Sequence, residues 1–174
     1  NCYLVPIDKE ASEKEQKLLS QLNSYLDVVI TLTFGEEKEV IDKAQIYKWL
    51  SVGTNNEVIF DNEKIIEYID NIGKKYETMG QTREFLNSYG ETIKVSGGDF
   101  GWWINRKAEA EAIINDIKSL NSTTREPNFL QRAGAFGEND FGNTYIEINL
   151  TDQHLYAYKD GNKIVDCDII SGDP

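Results

Sequence analysis

Histidine occurs once and cysteine twice in the 174 residues of this chain, whereas a zinc or iron site draws several ligands from those two residue types. No metal and no cofactor is expected. Basic residues are few as well: 18 Lys and Arg stand against 30 Asp and Glu, a net charge of −12. Nucleic-acid binding rests on Lys and Arg neutralising phosphates, and attraction to an anionic membrane surface has the same basis, so both partners are disfavoured. No apolar run approaches the roughly eighteen residues of a membrane span, and no signal-peptide pattern opens the chain. A Walker loop, a dinucleotide fingerprint and a nucleophile elbow are also missing. The Gly97-Gly98-x-x-Gly101 run has no Lys-Ser/Thr pair behind it and does not open directly into a helix.

What is present is ordinary globular material, 40% hydrophobic and 11% aromatic, so the chain should fold despite its charge. The length suits one domain and a remainder. We place the boundary close to Gly142, with residues 1–142 forming an α+β accessory domain and residues 143–174 too short to bury a core alone. Asn1 is not an initiator Met, and an export signal or membrane anchor ahead of it is expected. Cys2 and Cys167 read as free thiols. Cys167 alternates with Val165 and Ile169, the setting of a small buried hydrophobe rather than a nucleophile.

The first domain mixes helices with antiparallel hairpins. Tyr3-Leu4-Val5 is a short strand candidate. Ser12-x-x-Glu15 reads as a capping box for a helix reaching Leu26, with Leu18, Leu19, Leu22, Tyr25 and Leu26 as its buried stripe. Val28–Phe34 and Lys38–Ile41 alternate around Gly35 as a hairpin. Asp42 caps a short helix through Leu50, Glu57–Phe60 is a strand, and Asp61 caps a helix whose Ile65, Ile69, Ile72 and Tyr76 form a core stripe. Arg83–Leu86 and Thr92–Val95 form a second hairpin, expected to be the sheet partner of the first. Asn105 caps a helix over 106–120, and Phe129-Leu130 is an extended segment before a linker rich in glycine.

Chemistry concentrates in Ser96–Asn105. Three glycines in six positions mark a backbone that turns sharply or approaches something closely, and two adjacent tryptophans must project to different sides. Asp99, Trp102 and Trp103 are the binding candidates. Asp99 is the carboxylate held among glycines, whose alternative role is an Asx-turn. An exposed tryptophan ring could stack on a sugar face, while at least one of the pair is expected in the core. His154 has no cysteine or serine partner at a catalytic spacing and reads as a strand-surface residue; no catalytic residue is expected in the chain. Glu36, Glu37 and Glu39 read as the solvated edge of a hairpin.

The terminal residues alternate again. Ile146, Ile148 and Leu150 share one strand face and Tyr145, Glu147 and Asn149 the other. Gln153–Lys159 follows, then the Asp160-Gly161 loop and a third strand, Lys163–Ile170. Gln153 before Leu155-Tyr156, the hairpin Gly161 and the pair Ser171-Gly172 together resemble the opening strands of the YkuD-type L,D-transpeptidase catalytic domain. Gly97-Gly98-Asp99-Phe100-Gly101-Trp102, following a strand and preceding a Glu- and Ala-rich helix, resembles the peptidoglycan-binding domain that precedes YkuD domains in Gram-positive L,D-transpeptidases. The two stand in the family's own order.

The resemblance implies an α+β domain joined to the first strands of an incomplete β-sandwich, in the non-catalytic N-terminal part of an exported, cell-wall L,D-transpeptidase. Its parent would cross-link peptidoglycan stem peptides through a cysteine thiolate. That family's Ser-His-Gly-Cys motif and upstream His are not in this chain. Peptidoglycan, bound weakly or transiently, is the partner implied, and strand pairing or swapping through 143–174 is open. The alternative is a stand-alone α+β spacer or ligand-binding module with no part in cross-linking.

Overall fold

The structure, a computed structural model, describes residues 9–172. The strand candidate at 3–5 and Cys2 lie outside the described residues. In chain order the elements are α1 (Lys9–Leu26), β1 (Ile30–Phe34), β2 (Glu37–Ile41), α2 (Lys43–Trp49), β3 (Leu50–Val52), β4 (Val58–Phe60), α3 (Asn62–Tyr76), β5 (Arg83–Leu86) and β6 (Thr92–Val95). Then follow β7 (Trp103–Ile104), α4 (Arg106–Lys118), β8 (Thr123–Arg125), β9 (Phe129–Gln131), β10 (Tyr145–Asn149), β11 (His154–Lys159) and β12 (Asn162–Asp168). The mixed α+β class expected from the sequence is the one observed. The chain divides into two compact units, the first reaching Lys75 and resuming over Asn105–Asn128, the second made of Tyr76–Ile104 and the chain from Phe129 onward.

In the first unit α1 begins ahead of Ser12, so the expected capping box lies within the helix rather than at its start. Leu18, Leu22 and Tyr25 recur on one face, while Leu19, about 100° round from Leu18, is 60% exposed rather than part of the buried stripe. β1 and β2 form the expected hairpin: Phe34 opposes Glu37 across Gly35-Glu36, with Gly35 at φ 65, as a glycine-first two-residue loop requires. Ile30, Leu32 and Phe34 point into the core, and Ile41, Ile46, Trp49, Ile65, Ile69, Ile113 and Ile117 fill it.

The other neighbour of β1 corrects an expectation. It is β8, running parallel, with Ile30 opposite Thr123 and Leu32 opposite Arg125. The β5–β6 hairpin is a separate two-stranded sheet in the second unit. Two bonds start the β8 pairing: the Val29 amide donates to Ser122 Oγ at 3.0 Å and the Thr123 amide to the Val29 carbonyl at 3.1 Å. Asp42, Asp61 and Asn105 cap α2, α3 and α4 as read from the sequence, accepting from Ala44, Lys64 and Ala108 amides at 3.0, 3.1 and 3.1 Å.

In the second unit β5 pairs with β6, β7 with β9, and β10, β11 and β12 form a three-stranded meander. Its β11–β12 loop is Asp160-Gly161, at φ 51 and 78, the two left-handed residues of a type I′ hairpin. The alternation of β10 holds, yet its apolar side is the exposed one. Ile146 is 66% exposed, whereas Tyr145, Glu147 and Asn149 are half-buried. Tyr145 packs edge-on against Phe85 and Phe141, ring centres 5.5 Å away in each case. Cys167, a free thiol, is exposed rather than buried, because it shares that outward face: it opposes Leu155, which in turn opposes Ile148.

Candidate functional site

The glycine-rich stretch is shaped by a close approach of two backbones. Gly101 sits at φ 137, and a Cβ placed there would lie 2.4 Å from the Met79 nitrogen. The Thr78 and Met79 amides both donate to the Trp102 carbonyl, at 3.2 and 3.3 Å, and Gly80 donates to Phe100 at 3.2 Å. Only glycine gives room for this two-sided pairing. Thr78 also accepts from the Trp102 amide at its hydroxyl, 3.0 Å.

The two tryptophans part as their adjacency requires. Trp102 is a core residue, 5% exposed. Its indole Nε1 donates to the Ala135 carbonyl at 2.6 Å, and its ring stacks on Phe136 with centres 4.0 Å apart. Phe129 closes the cluster at 4.7 Å. Trp103 is 38% exposed and lies opposite Gln131 across the β7–β9 pair; directly opposed residues of an antiparallel pair share a face. The Gln131 side-chain amide in turn donates to the Asp99 carbonyl. Asp99 is exposed, and this bond engages its backbone rather than its carboxylate. The fold thus brings Trp103, Gln131 and Asp99 together and leaves Trp102 as the support beneath. An aromatic face beside an amide is the pairing that suits a sugar ring: apolar C–H surface against the indole, hydroxyls against the polar neighbour.

Gly97 and Phe100 also line a cleft of about 650 Å³. Its other walls include Arg83, Phe85, Ile93 and Val95 of the β5–β6 hairpin, Phe141 and residues 145–150. Two polar anchors hold it. Asp140, 1% exposed, receives Arg83 through two nitrogens, Nε at 2.5 Å and a terminal nitrogen at 2.6 Å, and also receives the Thr78 hydroxyl. Burial alone would raise the Asp140 carboxyl, but the Arg83 and Thr78 hydrogen bonds outweigh it and hold it below the ordinary carboxylate range. On the other side Glu147 accepts the Ser88 amide at 3.1 Å and its hydroxyl at 2.5 Å, and Ser88 Oγ lies 2.7 Å from the Tyr158 hydroxyl.

The marks of the terminal resemblance meet in space. Gln153, at φ 51, accepts the Ser171 amide at 2.7 Å and places its own amide 2.7 Å from Ser171 Oγ. Eighteen residues apart in sequence, they close the meander like a clasp. His154 is flanked by two carboxylates, Asp166 at 2.7 Å from Nε2 and Asp168 at 2.8 Å from Nδ1. Hydrogen bonds to Asp166 and then Asp168 raise its pKa. Among the described residues no group of His, Cys, Asp and Glu is placed to hold a metal ion, and no helix is long and apolar enough to cross a membrane.

The sequence did not point to Asp140, Arg83 or Glu147, because each acts through a partner at least 57 residues away. A signal existed only for Gln153 and Ser171, in the resemblance itself.

With this geometry in view, a family model described as "Putative peptidoglycan binding domain" matches residues 12–125. Two solved structures are similar to the chain. The Ldtfm–avibactam carbamoyl enzyme matches at 28% identity with a TM-score of 0.64, covering 92% of this chain and 62% of that one. A cysteine-to-serine mutant of the Enterococcus faecium L,D-transpeptidase matches at 29% identity with a TM-score of 0.63, covering 91% and 63%. The chain thus spans less than two thirds of the length of either. No curated protein matches it.

Proposed function

Because the chain belongs to the family of peptidoglycan-binding domains, we propose that it is the wall-binding, N-terminal part of an exported YkuD-type L,D-transpeptidase. In this reading its first 142 residues hold peptidoglycan weakly and position a transferase whose opening strands are residues 143–174. The work is extracellular, at a Gram-positive wall. The observation that carries the reading is that the likeness to the Enterococcus faecium enzyme covers far more of the chain than the family match does. It is supported by the bond between Gln153 and Ser171, the two terminal marks of the resemblance.

Trp103, with Gln131 and Asp99 beside it, is the wall-contacting surface in this proposal. The parent enzyme would transfer an acyl group from a stem peptide through a cysteine thiolate, activated by a histidine, with the amine of a second stem as acceptor. The motif carrying that thiolate is not among these residues, so the 174-residue polypeptide is expected to bind wall material without cross-linking it.

Co-sedimentation with purified sacculi tests the proposal. The wild-type polypeptide should pellet at moderate salt. Trp103→Ala should lose most of that binding at a cost in stability of about 1–2 kcal/mol, because the residue is 38% exposed and only partly packed. Trp102→Ala should instead cost about 3–5 kcal/mol of folding stability, the range for removing a large buried aromatic. Absence of wild-type pelleting at any salt would favour the spacer alternative.

A further inference from the structure

Although the chain is acidic, a groove among the described residues of the first unit, away from the tryptophan stretch in sequence, is lined by several lysines. Two adjoining cavities, of about 520 and 650 Å³, share Lys17, Gln21, Tyr25 and Lys118 in their walls, and Lys14 lines the first of them. α1 supplies Lys14 and Lys17, and the last turn of α4 supplies Lys118.

The floor is aromatic. Tyr25 and Phe60 lie with ring centres 5.7 Å apart, and the Lys118 ammonium stands 5.3 Å from the Phe60 ring centre. Gln21 donates to the Tyr25 hydroxyl at 2.7 Å, which orients that oxygen at the groove wall. Asn55 and Asn56 line the far side, on the β3–β4 loop. Asn56 sits at φ 59, a left-handed position that asparagine tolerates. Glu57, a carboxylate lining the groove, is held by its own loop, accepting the Asn55 amide at 2.9 Å. The groove lining thus carries Lys14, Lys17 and Lys118 against the one carboxylate of Glu57.

We propose that this groove is a binding site for a carboxylate-bearing segment of peptidoglycan, a stem peptide together with the amino sugar that carries it. The inference rests on the wall-binding reading above and adds where the acidic end of the ligand sits. Lys17 and Lys118 meet the stem carboxylates. The amides of Gln21, Asn55 and Asn56 match acetamido groups and hydroxyls, and the Tyr25–Phe60 floor takes the apolar sugar face. Charge complementarity gives this site its specificity. On a chain of net charge −12, a ligand bearing carboxylates is drawn most to the places where cations cluster.

The test is co-sedimentation of the 174-residue polypeptide with sacculi stripped of covalently attached phosphate polymers, compared with unstripped sacculi. Lys17→Glu/Lys118→Glu is compared with Lys43→Glu/Lys107→Glu, a pair of exposed lysines in the first turns of α2 and α4 where an acid favours the helix. Should the groove reversal lower the melting temperature, Lys17→Gln/Lys118→Gln replaces it. The groove variants are expected to weaken binding to stripped sacculi by about tenfold, the combined effect of two exposed charge contacts, with the control pair near wild type. Equal binding by groove variants and wild type overturns the groove and leaves the tryptophan surface standing. Binding that disappears on stripping overturns the assignment to stem carboxylates in favour of phosphate. Absence of wild-type binding to either preparation overturns the wall-binding reading, and the groove with it.

Discussion

Glu109 shows how much one side chain can hold that no local pattern announces. It is fully buried in the first turn of α4, where a glutamate on a helix ordinarily faces water. Its carboxylate accepts Arg125 at 2.9 and 3.0 Å, the Asn128 amide at 2.7 Å and the Asn128 side chain at 2.8 Å. Those donors tie α4 to β8 and to the segment that leaves it. Burying a carboxylate is tolerable only with such a full set of partners, and removing one member of a buried pair leaves the rest uncompensated. Glu109→Ala should therefore cost about 3–5 kcal/mol in urea unfolding, with little change in the slope. The sequence does not set Glu109 apart from the other acids of this helix, because burial is a property of what packs on top. Gly101 is the opposite case, since a glycine at a close backbone approach was legible from its neighbours, although Met79 as the thing approached was not.

At the scale of elements, the end of α4 carries a strain the sequence does not advertise. Leu120 takes φ 55 in a helix-terminating motif in which Leu120 donates to the Ile117 carbonyl at 3.0 Å and Asn121 to the Asp116 carbonyl at 2.9 Å. This is the position where glycine is usual, since a Cβ there is crowded. Leu120 is 54% exposed, so little burial offsets the cost. Leu120→Gly should stabilise the chain by up to about 1 kcal/mol, seen as a higher melting temperature; a lower one would mean that its side-chain packing outweighs the backbone strain. The β1–β2 and β5–β6 hairpins were legible because alternation and turn residues are local. The parallel β1–β8 pair was not, since three residues give too short a pattern and the partner lies 93 positions away.

For the whole molecule, pH reports on anchors in the second unit. Asp140 is held below its ordinary value of 3.8, so its contribution to stability is complete above that value and is lost as pH falls through the depressed one. His154 is held above its ordinary 6.5; its contribution is complete below 6.5 and is lost as pH rises through the raised value. Both are present together between about pH 4 and 6.5, where thermal unfolding should peak. Asp140→Asn should flatten the acid limb, and His154→Gln the limb above neutrality. An acid limb unchanged by Asp140→Asn would assign acid sensitivity to other carboxylates.

From the sequence alone came the fold class, the caps at Asp42, Asp61 and Asn105, the I′ loop at Asp160-Gly161, the acidic character and the resemblance to a wall-binding domain joined to transpeptidase strands. All of these rest on neighbouring residues or on composition. Tertiary structure decided which tryptophan is buried, which face of β10 turns outward, and that chain on either side of position 142 shares one compact unit with Tyr76–Ile104. It also gathered lysines from α1 and α4 into one groove. These outcomes depend on which distant surface covers a side chain, and a local pattern records only that it must be covered or charged.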